Sequence, residues 1–380
     1  PKFWPAYFTK TKGICIWDLE KKKYSDMCYM GVGTNILGYS NSSVDNAVKN
    51  VIKNGNMSTL NCKEEVQLAE KLIHIHPWSE QARFTRTGGE ASSVAIRLAR
   101  AATGRNKLAV CGYHGWHDWY LAANLKNSNN LNTHLMKNLG IAGVPNFLEN
   151  SCFSFDYNNL ESFLKIVDRH KLATVIMEVS RFQKPKFNFL NKIKKICNEK
   201  GIVLIFDECT SGFRETFGGL HLKLNVNPDI CILGKALGNG YAINAIIGKK
   251  NVMNSLNSTF ISSTFWTERI GYAAALKTLE IMEKEKSWKL ISRIGKKFKD
   301  NWKNLAQRNN INLEIKGLDP LPKFEFDSYN QLKKTFITQE FLKKNILAND
   351  TIYLSTKHSN KKIIQTYFNI LDEIFKIIYK

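Results

Sequence analysis

Through the middle of this 380-residue chain, short β-branched and aliphatic runs alternate with longer amphipathic stretches. That alternation constrains the fold most, because a strand followed by a helix long enough to cross back predicts βα units around a largely parallel sheet. Strands are predicted at 108–111, 173–178, 202–207, 229–233 and 245–248, and their apolar character fits strands covered on both faces. Helices are predicted at 160–170 and 188–200, the second stopped by Gly201 as a C-cap.

The two ends read differently. Residues 14–30 suggest a small hairpin, leading to a helix near 44–52. After Thr267 the chain turns helical, with a short strand at 322–326 and helices again to Lys380. The expected fold class is α/β: a large domain at 61–270 with a mostly parallel sheet flanked by helices, and a smaller α+β domain assembled from 1–60 and 271–380.

With 43% hydrophobic residues the chain can bury a substantial core. No apolar run approaches the roughly 18 residues of a membrane helix. The opening Pro1-Lys2-Phe3-Trp4 lacks the apolar stretch of a signal peptide, so the cytoplasm is expected. The chain does not begin with Met, which leaves an upstream extension open. Lysine and arginine number 55 against 33 acidic residues, a net charge of +22. The excess is scattered lysine rather than one patch, so nucleic acid is set aside as a partner, although the field would favour an anionic substrate. Neither the eight cysteines nor the histidines show the spacing of a metal site, and no metal is expected.

Four segments carry chemistry. Arg86-Thr87-Gly88-Gly89-Glu90 precedes apolar positions at helical spacing, so two glycines open a helix whose first N–H groups suit a phosphate; a tight turn without a ligand reads equally well. Tyr113-His114-Gly115-Trp116-His117-Asp118-Trp119 follows the strand at 108–111, where an aromatic or imidazole can stack on a planar cofactor; Trp116 and Trp119 are expected to pack on the core. Asp207-Glu208 ends an apolar strand, and Asp207 there suits a metal, a sugar hydroxyl or a protonated ring nitrogen, while Glu208 is expected to make a structural hydrogen bond. Lys235 ends another buried strand amid glycines, where a lysine in a cleft attacks an aldehyde and one in an exposed turn does nothing. The coincidence of all four at strand or helix ends favours the catalytic reading.

With these motifs the sequence resembles the class III, fold-type I pyridoxal-phosphate aminotransferases, and among them the glutamate-1-semialdehyde aminomutase group. The resemblance covers nearly the whole chain, most strongly Arg83 to Ala275. It implies that Lys235, in Gly-Lys-Ala-Leu-Gly, holds pyridoxal 5'-phosphate as a Schiff base. It implies further that Asp207 partners the pyridine nitrogen and that Tyr113 stacks on the ring. Thr87, Gly88 and Gly89 match the phosphate turn, and Thr264 matches a threonine that reaches the neighbouring subunit's phosphate, implying a homodimer with shared active sites. His114, Glu178 and Cys209 join the implied cofactor shell.

Several positions depart from the family pattern. Gly89 replaces a threonine, Cys209 a branched apolar residue, and Val179 the proline after Glu178. Trp266-Thr267-Glu268-Arg269 replaces a Gly-Gly-Asn-Pro segment. Arg269, with Glu268 and Arg181, is a candidate substrate contact for a carboxylate or phosphate, with an internal Arg269–Glu268 ion pair as the alternative. These departures resemble a subgroup linked to surface-polysaccharide biosynthesis. The expected activity is amino transfer from an amino-acid donor to an aldehyde or keto acceptor, anionic or sugar-linked. A 1,2-aminomutase, a decarboxylase and a non-catalytic binding protein of the same fold are the alternatives.

Overall fold

A computed structural model describes residues 3–378 of the chain. Pro1, Lys2, Tyr379 and Lys380, the two ends of the segments discussed above, lie outside the described residues. Near the N-terminus, β1 (Lys10–Lys12), β2 (Cys15–Trp17) and β3 (Lys23–Asp26) form an antiparallel meander. The helix Ser42–Lys53 follows, started by Asn41, whose side chain accepts from the N–H groups of Ser43 and Val44.

The central sheet comprises β4 (Gln81–Thr85), β5 (Lys107–Cys111), β6 (Cys152–Ser154), β7 (Leu172–Glu178), β8 (Val203–Glu208), β9 (Ile230–Leu233) and β10 (Asn244–Gly248). Their order is β4-β10-β9-β8-β7-β5-β6. The five strands from β9 to β6 are mutually parallel, whereas β10 runs antiparallel to both β9 and β4. All five predicted strands are present. The edge strands β4 and β6 went unread because neither has a continuous apolar run; β4 buries only Phe84 and Thr85.

Period-two alternation sends successive side chains of these strands into two different layers. Val110, Ile176, Ile205 and Ile232 pack against Ala91, Val94, Ala95 and Leu98 of the helix Gly88–Thr103. Ala109, Met177, Leu204 and Cys231 face the opposite layer, which includes Ile193 and Cys197 of the helix Phe189–Lys200 and Phe163 of the helix Leu160–Arg169. Burying each such aliphatic side chain contributes about 1.5–3 kcal/mol, so a strand covered on both faces is held in one register.

The helices Arg269–Glu285 and Ser287–Arg308 lead to a hairpin of β11 (Leu313–Lys316) and β12 (Lys323–Phe326). Beyond the helix Asn330–Lys343, β13 (Ile346–Leu347) pairs parallel with β3, so segments from both ends of the chain share one sheet. All eight cysteines are free thiols. Among the described residues, no helix is long and apolar enough to cross a membrane.

Candidate active site

Adjacent parallel strands deliver their carboxyl ends to one crevice. Lys235 follows β9 in a left-handed backbone conformation, φ 45°, which is uncommon for a lysine and turns it off the strand. Its Nζ donates to Thr210 Oγ1 at 2.7 Å. Burial, and after it the Arg181 guanidinium, lowers its pKa to about 8, so the neutral amine is accessible near neutrality.

Asp207 closes β8. Burial works against its charge, but the bond from His114 Nδ1 at 2.8 Å and the Cys209 N–H at 3.1 Å prevail and hold its carboxyl below the usual range. The buried Nε2 of His114 has no hydrogen-bond partner.

Between these groups runs a hydrogen-bonded belt. Tyr113 N–H donates to Glu178 Oε2 at 3.1 Å. Arg181 donates to Glu178 Oε1 through Nε at 2.8 Å and Nη2 at 2.6 Å, and Nη2 also donates to Thr210 Oγ1 at 2.9 Å. Thr210 then accepts from Lys235. The belt therefore crosses the ends of β5, β7, β8 and β9 in their spatial order. Gly112 makes room for it: a Cβ there would lie 2.8 Å from Glu178 Oε2. Sequence reasoning missed Thr210; its one signal was its place in the turn three residues beyond Asp207.

Thr87 is the N-cap of the helix Gly88–Thr103, its hydroxyl accepting from Glu90 N–H in a capping box. Arg86 Nη2 bonds the carbonyls of Phe265, Trp266 and Glu268, tying the segment that carries the exposed Thr264 to this turn. Cys209 lies across from Gly88, where a Cβ would sit 3.3 Å from its Sγ.

Two expectations need correction. Arg269 does not pair with Glu268: it makes two bonds to Glu64, at 2.7 and 3.1 Å, and one each to the carbonyls of Asn54 and Gly55. Glu268 instead caps the helix Arg269–Glu285 and lies 3.4 Å from Arg86. Trp116, expected in the core, is 73% exposed and stacks on His117. Half-buried Trp119, by contrast, packs against the core as expected and donates to Ser93 Oγ.

Glu208, His221 and Cys231 place potential metal-ligand atoms within 4.8 Å of one another. His221 Nδ1 is engaged by Glu208 at 2.6 Å, and its Nε2 accepts from Trp78. The Glu208 oxygens also take Ser211, Leu220 N–H and His221 N–H. The trio is thus a hydrogen-bonded buttress behind β8, in line with the structural role expected for Glu208.

Beside the crevice is a cavity of about 230 Å³ whose walls include Tyr157, Arg181, Gln183, Lys316, Lys323 and Glu325. Lys316 and Lys323 both pair with Glu325.

The architecture is that of the fold-type I pyridoxal-phosphate transferases. The FumI protein of Sphingopyxis sp. MTA144, solved in its PLP internal aldimine form, superposes with a TM-score of 0.89 at 24% identity over 100% of this chain and 90% of its own. The class-III aminotransferase family model matches residues 2–363, and the chain belongs to that family. It is similar to a 3-aminobutyryl-CoA aminotransferase of Cloacimonas acidaminovorans, 30% identical over 99% of this chain and 91% of the relative. A 2'-deamino-2'-hydroxyneamine transaminase of Streptomyces kanamyceticus is 29% identical over 86% and 80%. A glutamate-1-semialdehyde 2,1-aminomutase of Francisella philomiragia is 32% identical over 83% and 74%. The protein is thus an enzyme of the aminotransferase kind, and its cofactor is pyridoxal phosphate. The residues fit that group: an ionised buried carboxylate, an unpartnered buried imidazole nitrogen, a helix N-terminus and an amine of lowered basicity converge on one crevice.

Proposed function

We propose that this enzyme is a cytoplasmic, homodimeric aminotransferase that moves an amino group from an amino-acid donor to the aldehyde or ketone of an anionic, sugar-linked acceptor in cell-surface polysaccharide synthesis. The observation that carries the amino-transfer reading is Lys235, whose Nζ is held by Thr210 at 2.7 Å with its pKa lowered to about 8, just beyond the strand that neighbours that of Asp207.

When bound, pyridoxal phosphate would supply an aldehyde carbon at which one amine replaces another and a ring that withdraws electrons from the reacting carbon. Lys235 would hold it through Nζ and, as a free amine of lowered basicity, would accept and return the proton at the substrate's reacting carbon. Asp207 would keep a proton on the ring nitrogen, His114 keeps Asp207 oriented and ionised, and Tyr113 would cover the ring. Thr87, Gly88 and Gly89 would receive the phosphate, and Thr264 would contribute across the dimer. The dimer reading is supported by exposed apolar side chains near this turn: Trp116, Phe265 and Leu60, at 73%, 62% and 76% exposure. Residues 1–60 and 271–380 form the small domain in this reading, around 61–270.

The acceptor's anionic group is assigned to Lys316 and Lys323 in the cavity rather than to Arg269, which is occupied by Glu64. Relatives named for an aminobutyryl coenzyme A and for a hydroxyneamine support a site with room for a large polar substrate. The test is a screen of amino donors against carbonyl acceptors, following the cofactor's absorption change. Donor-dependent conversion of an acceptor is expected. Isomerisation of a single substrate, with no separate keto product, would instead establish the aminomutase reading that the Francisella relative favours.

A further inference from the structure

Both residues that open the helix Gly88–Thr103 are glycine, and at the second the reason is steric. A Cβ on Gly89 would lie 2.7 Å from Nε2 of His117 and 2.8 Å from its Cδ2, closer than real Cβ atoms come. The imidazole of His117, delivered by the loop after β5, thus fills the space into which a side chain at 89 would project. It brings a ring nitrogen to the mouth of the turn, where the chain at 89 offers only backbone.

The ring is held in place. Its Nδ1 is 3.1 Å from Ser93 Oγ, and Trp116 stacks on it with centroids 4.7 Å apart and planes 27° from parallel. Ser93 lies one helical turn beyond Gly89, and its oxygen also accepts the indole N–H of Trp119 at 3.0 Å. Its one hydroxyl proton serves either the Gly89 carbonyl, at 3.0 Å, or His117 Nδ1. When Ser93 donates to Nδ1, the neutral imidazole carries its hydrogen on Nε2, the atom beside the turn.

Resting on the reading of Thr87-Gly88-Gly89 as the phosphate turn, we propose that His117 is a cofactor-binding residue whose Nε2–H donates to the phosphate. Ser93 is the positioning residue that selects this tautomer. Gly89 and His117 form an exchange: the helix gives up a side chain so that the loop can supply one. The donor comes from the same loop as Tyr113 and His114, so one segment contacts the cofactor at its ring and at its phosphate.

The test measures the affinity of apo-protein for pyridoxal phosphate and, in parallel, for pyridoxal, which lacks the phosphate, by equilibrium dialysis. His117→Ala is expected to weaken pyridoxal phosphate about 10- to 100-fold, the range for one hydrogen bond to a charged group, and to leave pyridoxal unchanged. His117→Gln, which keeps a donor, is expected to recover part of the loss. Gly89→Thr alone is expected to lose pyridoxal phosphate through collision with the imidazole, and Gly89→Thr/His117→Ala to recover it to within a few-fold. Unchanged pyridoxal-phosphate affinity in His117→Ala, or an equal loss for both ligands, overturns the assignment, as does a double variant no better than Gly89→Thr. The reading of the turn fails separately if the unaltered protein binds pyridoxal as tightly as pyridoxal phosphate.

Discussion

Lys235 Nζ and Arg181 Nη2 share a single neutral acceptor, Thr210 Oγ1, at 2.7 and 2.9 Å. Two cationic groups on one hydroxyl oxygen repel, and the strain is relieved when Lys235 gives up its proton. The charged and titratable groups facing Lys235 are Glu178 at the end of β7 and Arg181 just beyond it, and Asp207 near the end of β8 and Cys209 just beyond it. Arg181→Met removes the cation and leaves Glu178 unpaired, and both changes favour protonated lysine. The rate at which apo-protein captures pyridoxal phosphate should rise with pH through about 8 in the unaltered protein, because only the free amine attacks. In Arg181→Met the midpoint should move up part of the way toward the ordinary lysine value of about 10.4, because burial, the larger cause, remains. Thr210→Val should slow capture at every pH with a smaller change in midpoint. A midpoint that stays near 8 in Arg181→Met excludes the guanidinium as the tuning group.

Replacing the catalytic amine gives a sharper outcome. Lys235→Ala should bind the cofactor without the visible band that borohydride bleaches, and should lose roughly 10²–10⁴-fold in turnover, the scale of a positioned general base. Retention of both the bleachable band and turnover would place the covalent link on another lysine.

Asp207 tests the ring end of the crevice. Its carboxyl is held below the usual range although it is buried, and the bond from His114 at 2.8 Å is the main reason. Asp207→Asn keeps the shape and removes the charge, so a fall in kcat of about 10²-fold or more with unchanged thermal unfolding is expected. Unaltered kinetics would remove Asp207 from the chemistry.

Much of this arrangement was legible in the sequence because chemistry and burial coincide at strand ends. Val203-Leu204-Ile205-Phe206 reads as a covered strand, so the Asp207 that follows it had to fall at the crevice. The same logic placed Lys235 after Ile230–Leu233. What escaped was of another kind. Thr210 and His117 matter through contacts with residues 25 and 28 positions away, and no local pattern of polarity signals such a contact. Arg269 misled for the same reason: its carboxylate partner is Glu64, on a helix 205 residues earlier, not its neighbour Glu268.

That pairing makes a prediction of its own. Arg269, only partly exposed, ties the start of the helix Arg269–Glu285 to Glu64 and to the carbonyls of Asn54 and Gly55. Its loss should act on stability rather than on substrate. A solvent-screened pair with added carbonyl bonds contributes on the order of 1 kcal/mol, so Arg269→Ala should lower Tm by about 1–3 °C. KM for anionic acceptors should stay within two-fold. A large rise in KM with Tm unchanged would return Arg269 to the substrate site.

The complementary experiment concerns the cavity. Lys316 on β11 and Lys323 on β12 converge on the single carboxylate of Glu325, and Lys316 also pairs with Glu314 at 2.8 Å. Among the charged residues lining the cavity, Arg181 is balanced by Glu178 and the two lysines share Glu325, while Glu314, the second partner of Lys316, lies outside the wall and is 66% exposed to screening water. An entering phosphate or carboxylate can displace Glu325 and accept from both ammonium groups, an exchange that costs little because the carboxylate keeps its route to water at the half-buried rim. Lys316→Met/Lys323→Met removes both donors but retains the apolar stems. KM for an anionic acceptor should rise about ten-fold or more, and KM for an uncharged aldehyde should hold. A matching series with Glu325→Gln should lower KM for the anion, since the competing carboxylate is gone. If the double lysine variant raises both KM values alike, the cavity shapes the site without selecting charge, and the anionic group must be sought elsewhere around the crevice.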